Sequence, residues 1–181
     1  VGGIQKMSRA ELQQQERDQQ APAFLHWLAD MDNELERFFT QDAPRVGALE
    51  DPWTTQGIKT AAESLKAAFP DPKNVVAMNH PALDGYRRYF GEAFRMASDG
   101  SWFNLPGKRD NVDFWPVISR PYSTFLDPHD RLLDVYAKTR HPDGLLVWVY
   151  GNVVEDHALW VEAGKPSATE FRRLSAARLS Q

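Results

Sequence analysis

The chain has 181 residues, 42% of them hydrophobic, with a formal charge of −4 and no cysteine. That length supports one domain with a sizeable core but not two with a linker, and the missing cysteines exclude disulfides, thiolate catalysis and cysteine-ligated zinc or iron–sulfur centres. The acidic balance argues against nucleic acid as a partner, because phosphate binding needs a basic face, and no apolar run approaches the roughly 20 residues of a membrane span.

Residues 1–6 are too short and too polar for a secretory signal, so a cytoplasmic location is expected. Ser8-Arg9-Ala10-Glu11 fits a capping box leading into the glutamine-rich run of residues 13–20. Residues 1–20 read as a polar, mobile N-terminal helix, and residues 21–181 as a single globular domain. Pro22 can open the next helix, in which Phe24, Leu25, Leu28, Met31, Leu35, Phe38 and Phe39 recur at helical spacing to about Thr40. A turn-rich loop over residues 42–47 ends it. Asp51-Pro52-Trp53-Thr54 then precedes a helix carrying Ile58, Ala61, Ala62, Leu65 and Phe69, stopped by Pro70-Asp71-Pro72.

The stretch Asn79-His80-Pro81 predicts a helix start, with Asn79 capping the open N–H groups. Leu83, Tyr86, Phe90, Ala93, Phe94 and Ala97 form its core stripe. Arg88, Glu92 and Arg95 are expected on the opposite, solvated face as ordinary ion pairs. Gly85 and Gly91 each cost about 1 kcal/mol inside a helix, so a neighbouring element is expected to cross close to both. Asp99-Gly100 supplies the stop, with Gly100 taking the left-handed conformation.

Residues 102–105 and 112–118 read as two strands of a hairpin around the loop 106–111, with Pro116 placing the second strand at an edge or a bulge. Asp127-Pro128-His129-Asp130 caps a helix bearing Leu132, Leu133, Val135 and Tyr136. Residues 145–161 fit either a hairpin around Gly151-Asn152 or a helix. The ending Ala163-Gly164-Lys165-Pro166 favours the helix. Ser167-Ala168-Thr169-Glu170 is a second capping box opening a short basic helix. The sum is a predominantly helical α+β fold: several amphipathic helices around a small antiparallel sheet built on a hairpin near residues 101–119.

Catalytic signals are sparse. His129-Asp130 invites a metal reading with His80, His141 or His157 as further ligands, but the spacing matches no metal motif. Capping explains the pair more simply. The serines lack a nucleophile context, and Glu92, flanked by arginines, suits ion pairing better than general-base work. Of the six tryptophans, one or two exposed beside Arg109 or Arg120 would form a recognition surface.

Tyr89-Phe90-Gly91-Glu92-Ala93-Phe94, then Gly100-Ser101-Trp102, with Asp51-Pro52-Trp53 upstream, resembles a pattern in small, chiefly actinobacterial proteins carried as domains of unknown function. The resemblance spans residues 51–166 and implies no agreed activity. Some similar-looking small proteins act as immunity proteins encoded beside secreted toxins. The expectation is therefore a non-catalytic protein-interaction domain, immunity- or antitoxin-like, with a protein partner and no cofactor or metal. Its expected contact residues are Arg88, Glu92, Arg95, Trp102, Lys108, Arg109 and Trp115. The alternatives are a small metal-dependent hydrolase using His129, Asp130 and His80, and a structural subunit of a homo-oligomer.

Overall fold

A computed structural model describes residues 7–108, 112 and 114–178, apart from the side chains of Lys108 and Arg178. Helices α1 (Arg9–Gln19), α2 (Pro22–Ala29), α3 (Met31–Arg37), α4 (Pro44–Gly47), α5 (Thr55–Ala68), α6 (Pro72–Val76) and α7 (Ala82–Ala97) lead to strands β1 (Ser101–Asn104) and β2 (Pro116–Ser119). Helices α8 (Pro128–Asp134), α9 (Leu145–Glu162) and α10 (Ala168–Arg178) follow. The fold is α+β and 64% helical, as the periodicity predicts, with residues 145–161 inside a helix rather than a hairpin.

Helix α7 is the axis of the molecule. Ten of its residues are buried, on every side, and α3, α5, α8, α9 and β2 all pack against it. Its start is not capped by Asn79: the ring Nδ1 of His80 accepts the Ala82 N–H at 3.1 Å, and Pro81 occupies the capping position itself. At its end Asp99, not Gly100, takes the left-handed conformation, with φ of 50°. Gly100 is needed for a different reason. A Cβ there would lie 2.6 Å from Ile118 Cγ2 on β2.

The expected long helix over residues 22–40 is divided. It breaks at Asp30 and ends in a π-helical turn, Phe38–Asp42, whose wider loop closes with Ala43 N–H on Phe38 O at 2.8 Å. The extra residue lets two adjacent rings face inward. Phe38 lies against Tyr86 and Tyr89, both at 4.9 Å between ring centres, and Phe39 meets Trp53 at 5.6 Å. The same turn brings the Asp42 carboxylate and the Phe38 ring against Gly85, the close crossing that a glycine there implies.

The sheet is one antiparallel hairpin with Ser101 opposite Ser119 and Asn104 opposite Pro116. Leu105 N–H donates to Trp115 O, while Ile118 exchanges both its backbone bonds with Leu126 on the other side. Pro116 and Ile118 thus face away from β1, so proline's missing N–H costs the hairpin nothing. The outer edge of β1 is closed by a side chain. Gln19, at the end of α1, donates to Asn104 O at 2.9 Å and accepts Asn104 N–H at 2.7 Å. The polar first helix, with no buried residue of its own, is tied to the fold there.

Candidate functional site

The expected contact face on α7 is largely an interior network. Arg88 is only 3% exposed; its Nε donates to Asp84 Oδ2 at 2.7 Å and its Nη1 to Trp27 O at 2.6 Å. The guanidinium lies 4.1 Å from the Trp27 ring centre. The solvated-face expectation for Arg88 is therefore corrected, and so is its pairing with Glu92. Trp27 of α2 reaches α7 at this point, and a planar guanidinium can stack on its ring while the fork reaches Asp84, a geometry that favours burial of arginine over lysine. Asp84 also receives Arg87 and the Trp27 indole N–H.

Glu92 belongs to the adjoining layer. Its two oxygens take the Arg95 fork at 2.9 and 2.8 Å, and Oε1 accepts the Trp102 indole N–H at 2.5 Å. It positions an indole and an arginine. Trp102 is half-buried and meets Trp27 edge-on at 4.9 Å.

Trp115 is likewise an inward residue. It donates to Asp127 Oδ2 at 2.8 Å and its ring stands edge-on to His129 at 5.3 Å. Of the seven expected contact residues, Arg88 and Trp115 are buried, and Glu92, Arg95 and Trp102 are half-buried in internal bonds. Arg109 and the Lys108 side chain lie outside the described residues.

His129 and Asp130 sit in the first turn of α8, which Asp127 caps by accepting His129 N–H at 2.9 Å. His129 is buried, and His80 is engaged with Ala82 N–H and the Phe69 ring. Among the described residues no three His, Asp or Glu side chains gather as a metal site would require. No helix among them is long and apolar enough to cross a membrane.

Helix α9, outside the expected set, carries three exposed large apolar side chains. Trp148, Val154 and Val161 are 46%, 43% and 43% exposed. At 100° per residue the outward arc has Val154 and Val161 along one ridge and Trp148, Glu155 and Glu162 along the other, while Val147, above Val154 on the first ridge, is half-buried against the core. Gly151 and Ala158 floor the groove between them. A Cβ built on Gly151 meets nothing within 4 Å. Trp148 is held at the groove's N-terminal end by stacking on His141, 4.5 Å between ring centres. The signal for this face was in the sequence, as valines at 147, 154 and 161 with Gly151 and Ala158 also seven apart, but it acquires meaning only once the segment is known to be helical.

No family model matches the chain, and neither a curated protein nor a solved structure is significantly similar to it. The fold and the α9 surface together describe a small helical α+β module in which Arg88, Asp127 and His129 are buried.

Proposed function

We propose that the chain is a non-catalytic protein-interaction domain, immunity- or antitoxin-like in mode, that masks a partner protein with the outward face of α9. The observation that carries this reading is the exposure of Trp148, Val154 and Val161 on a helix that already buries Leu146, Tyr150, Val153 and Trp160 on its other side, since apolar side chains left open in this way mark a contact surface. The groove floored by Gly151 and Ala158 has the form that receives an inserted side chain or a crossing helix.

Charge supports a partner with a basic surface. Glu155 and Glu162 border the groove and form no ion pair among the described residues, and the chain is acidic overall. Two copies packed antiparallel through this face would bring the acidic ridges toward each other, which disfavours self-pairing. Relative to the expected surface on α7 and the hairpin, the function is retained and the place moves.

The test is co-purification from the native cell with the full chain as bait, beside light scattering of the chain alone. A single stoichiometric partner of basic surface, lost with Val154→Asp and retained with Phe103→Ala, is the expected result. Capture indifferent to Val154→Asp removes the α9 assignment. A dimer mass abolished by the same change would give the face to a second copy instead.

A further inference from the structure

The outward face of α9 is electrically polarised along its length. At its N-terminal end opens a cavity of about 520 Å³ between α5 and the segment joining α8 to α9. His141 joins the cavity to the face, since it lines the one and stacks on Trp148 of the other. Around this cavity Lys59 is paired with Asp143, Glu63 with Arg45 and Asp134 with Arg131. Lys66 and Lys138 also line it, are exposed, and form no ion pair among the described residues. The surplus charge at this end is therefore positive.

The far end is the reverse. Glu155 and Glu162 are exposed and form no ion pair among the described residues, and Lys165, just beyond them, is engaged by Asp99 at 2.9 Å. Glu162 is the last residue of α9, where the helix dipole disfavours an acid, and no basic residue stands in that turn to offset it. A local preference broken without compensation in the free chain is satisfied when a cation is brought up to it.

Spacing narrows what can bring that cation. Glu155 and Glu162 are seven residues apart, as are Val154 and Val161 beside them, and seven helical residues advance about 10.5 Å. A second helix laid alongside repeats at the same interval through its own positions seven apart. An extended strand presents one face about every 6.8 Å and falls out of step by the second contact.

We propose that the partner seats a helix of about five turns, the length of α9, parallel to α9, with acidic side chains in its first turn against Lys66 and Lys138 and basic side chains toward its end against Glu155 and Glu162. This rests on α9 being the masking face, and adds the partner's element, its direction and its order of charge. The direction follows from the charges. Any helix is favoured by acids in its first turn and bases in its last, so in the parallel arrangement one sequence satisfies its own dipole and α9 together. The antiparallel arrangement sets those two requirements against each other.

The test is a display selection on the full chain with alanine-based helical peptides of the length of α9, randomised among Glu, Lys, Gln and Leu on one face. Val154 is exposed, so the Val154→Asp chain serves as a folded counter-selection bait. The expected result is a set of peptides bound by the parent and not by Val154→Asp, with Glu in the first turn and Lys toward the end. A spin label on the N-terminus of a selected peptide should broaden the amide signals of Leu146 and Val147 and leave that of Val161 sharp. Glu155→Lys with Glu162→Lys, and separately Lys66→Glu with Lys138→Glu, should each weaken binding about tenfold or more, and added salt should weaken it in the parent. Selected peptides that need Val154 but show no order of charge, or that lie antiparallel, overturn this proposal and leave α9 as the masking face. A selection that yields no peptide dependent on Val154 overturns both.

Discussion

The six-membered ring of Trp102 occupies the space that a side chain at Gly91 would need. A Cβ built on Gly91 would stand 2.0 Å from Cη2 and 2.6 Å from Cζ2. The indole cannot easily retreat, because Glu92 holds its N–H from the next residue along the same helix. Helix propensity alone would make Gly91→Ala stabilising by about 1 kcal/mol. Overpacking against a fixed ring reverses the sign, and a net loss of about 1–3 kcal/mol in urea unfolding is expected, with a changed Trp102 fluorescence. A stabilised Gly91→Ala protein would contradict the close packing.

Gly151 is the opposite case on the other long helix. No atom lies where its Cβ would go, so Gly151→Ala should raise stability by about 0.5–1 kcal/mol. If the groove on α9 takes the partner, the same methyl group partly fills its floor and should weaken capture. Thermal unfolding and binding measured on one variant would show the two effects with opposite signs.

Removing Asp84 strands the Arg88 guanidinium inside the protein. Breaking a buried pair from one side costs about 3–5 kcal/mol when it leaves a charge unpaired, whereas Arg88→Met leaves the Asp84 carboxylate, 27% exposed against 3% for Arg88, still paired with Arg87 and the Trp27 indole N–H. Asp84→Ala should therefore destabilise more than Arg88→Met, as read from urea midpoints at neutral pH.

The same aspartate gives acid sensitivity. Burial acts to raise its pKa, but Arg87 and Arg88 outweigh burial and the net shift is downward. A carboxyl with a depressed folded pKa contributes stability above its unfolded value near 3.9, and loses it as pH falls through the lower folded value. The stability advantage of the parent over Asp84→Asn should be complete above about pH 4 and disappear at more acidic pH. Urea midpoints across an acid pH series test this, and an advantage independent of pH would refute it.

Gln19 completes the hairpin edge with its side-chain amide, pairing both the N–H and the C=O of Asn104, which is 1% exposed. Gln19→Ala leaves two buried backbone groups unpaired and should cost about 1–3 kcal/mol. Hydrogen exchange should show faster exchange at the Asn104 amide, with the centre of α7 unchanged.

Local signals in the chain were sufficient wherever the interaction that sets the structure is itself local. The capping box at Ser8, the Ser167 hydroxyl that accepts the Glu170 N–H, the Asp127 cap and the hairpin near residues 101–119 follow from groups a few residues apart. The Gly85 and Gly91 crossings were legible for a related reason: a helix tolerates the cost of glycine where something approaches its backbone. What approaches is not legible. That Trp102 covers Gly91 and Phe38 covers Gly85 depends on chain segments 11 and 47 residues away.

The candidate surface shows the same division. Periodicity places Arg88 opposite the core stripe of its own helix, and taken alone that helix would indeed be wet there. Only Trp27, reaching in from α2 with a ring and a carbonyl, makes burial of the guanidinium favourable. Conversely, the valines on α9 look like core by composition, and Val154 and Val161 face solvent because no element among the described residues covers them. By itself the sequence determined the helical α+β class, most helix ends, the hairpin and the absence of cysteine chemistry, because these rest on composition and short-range hydrogen bonding. The tertiary structure alone decided which charges are buried and which apolar face is open, because each depends on what distant parts of the chain place beside it.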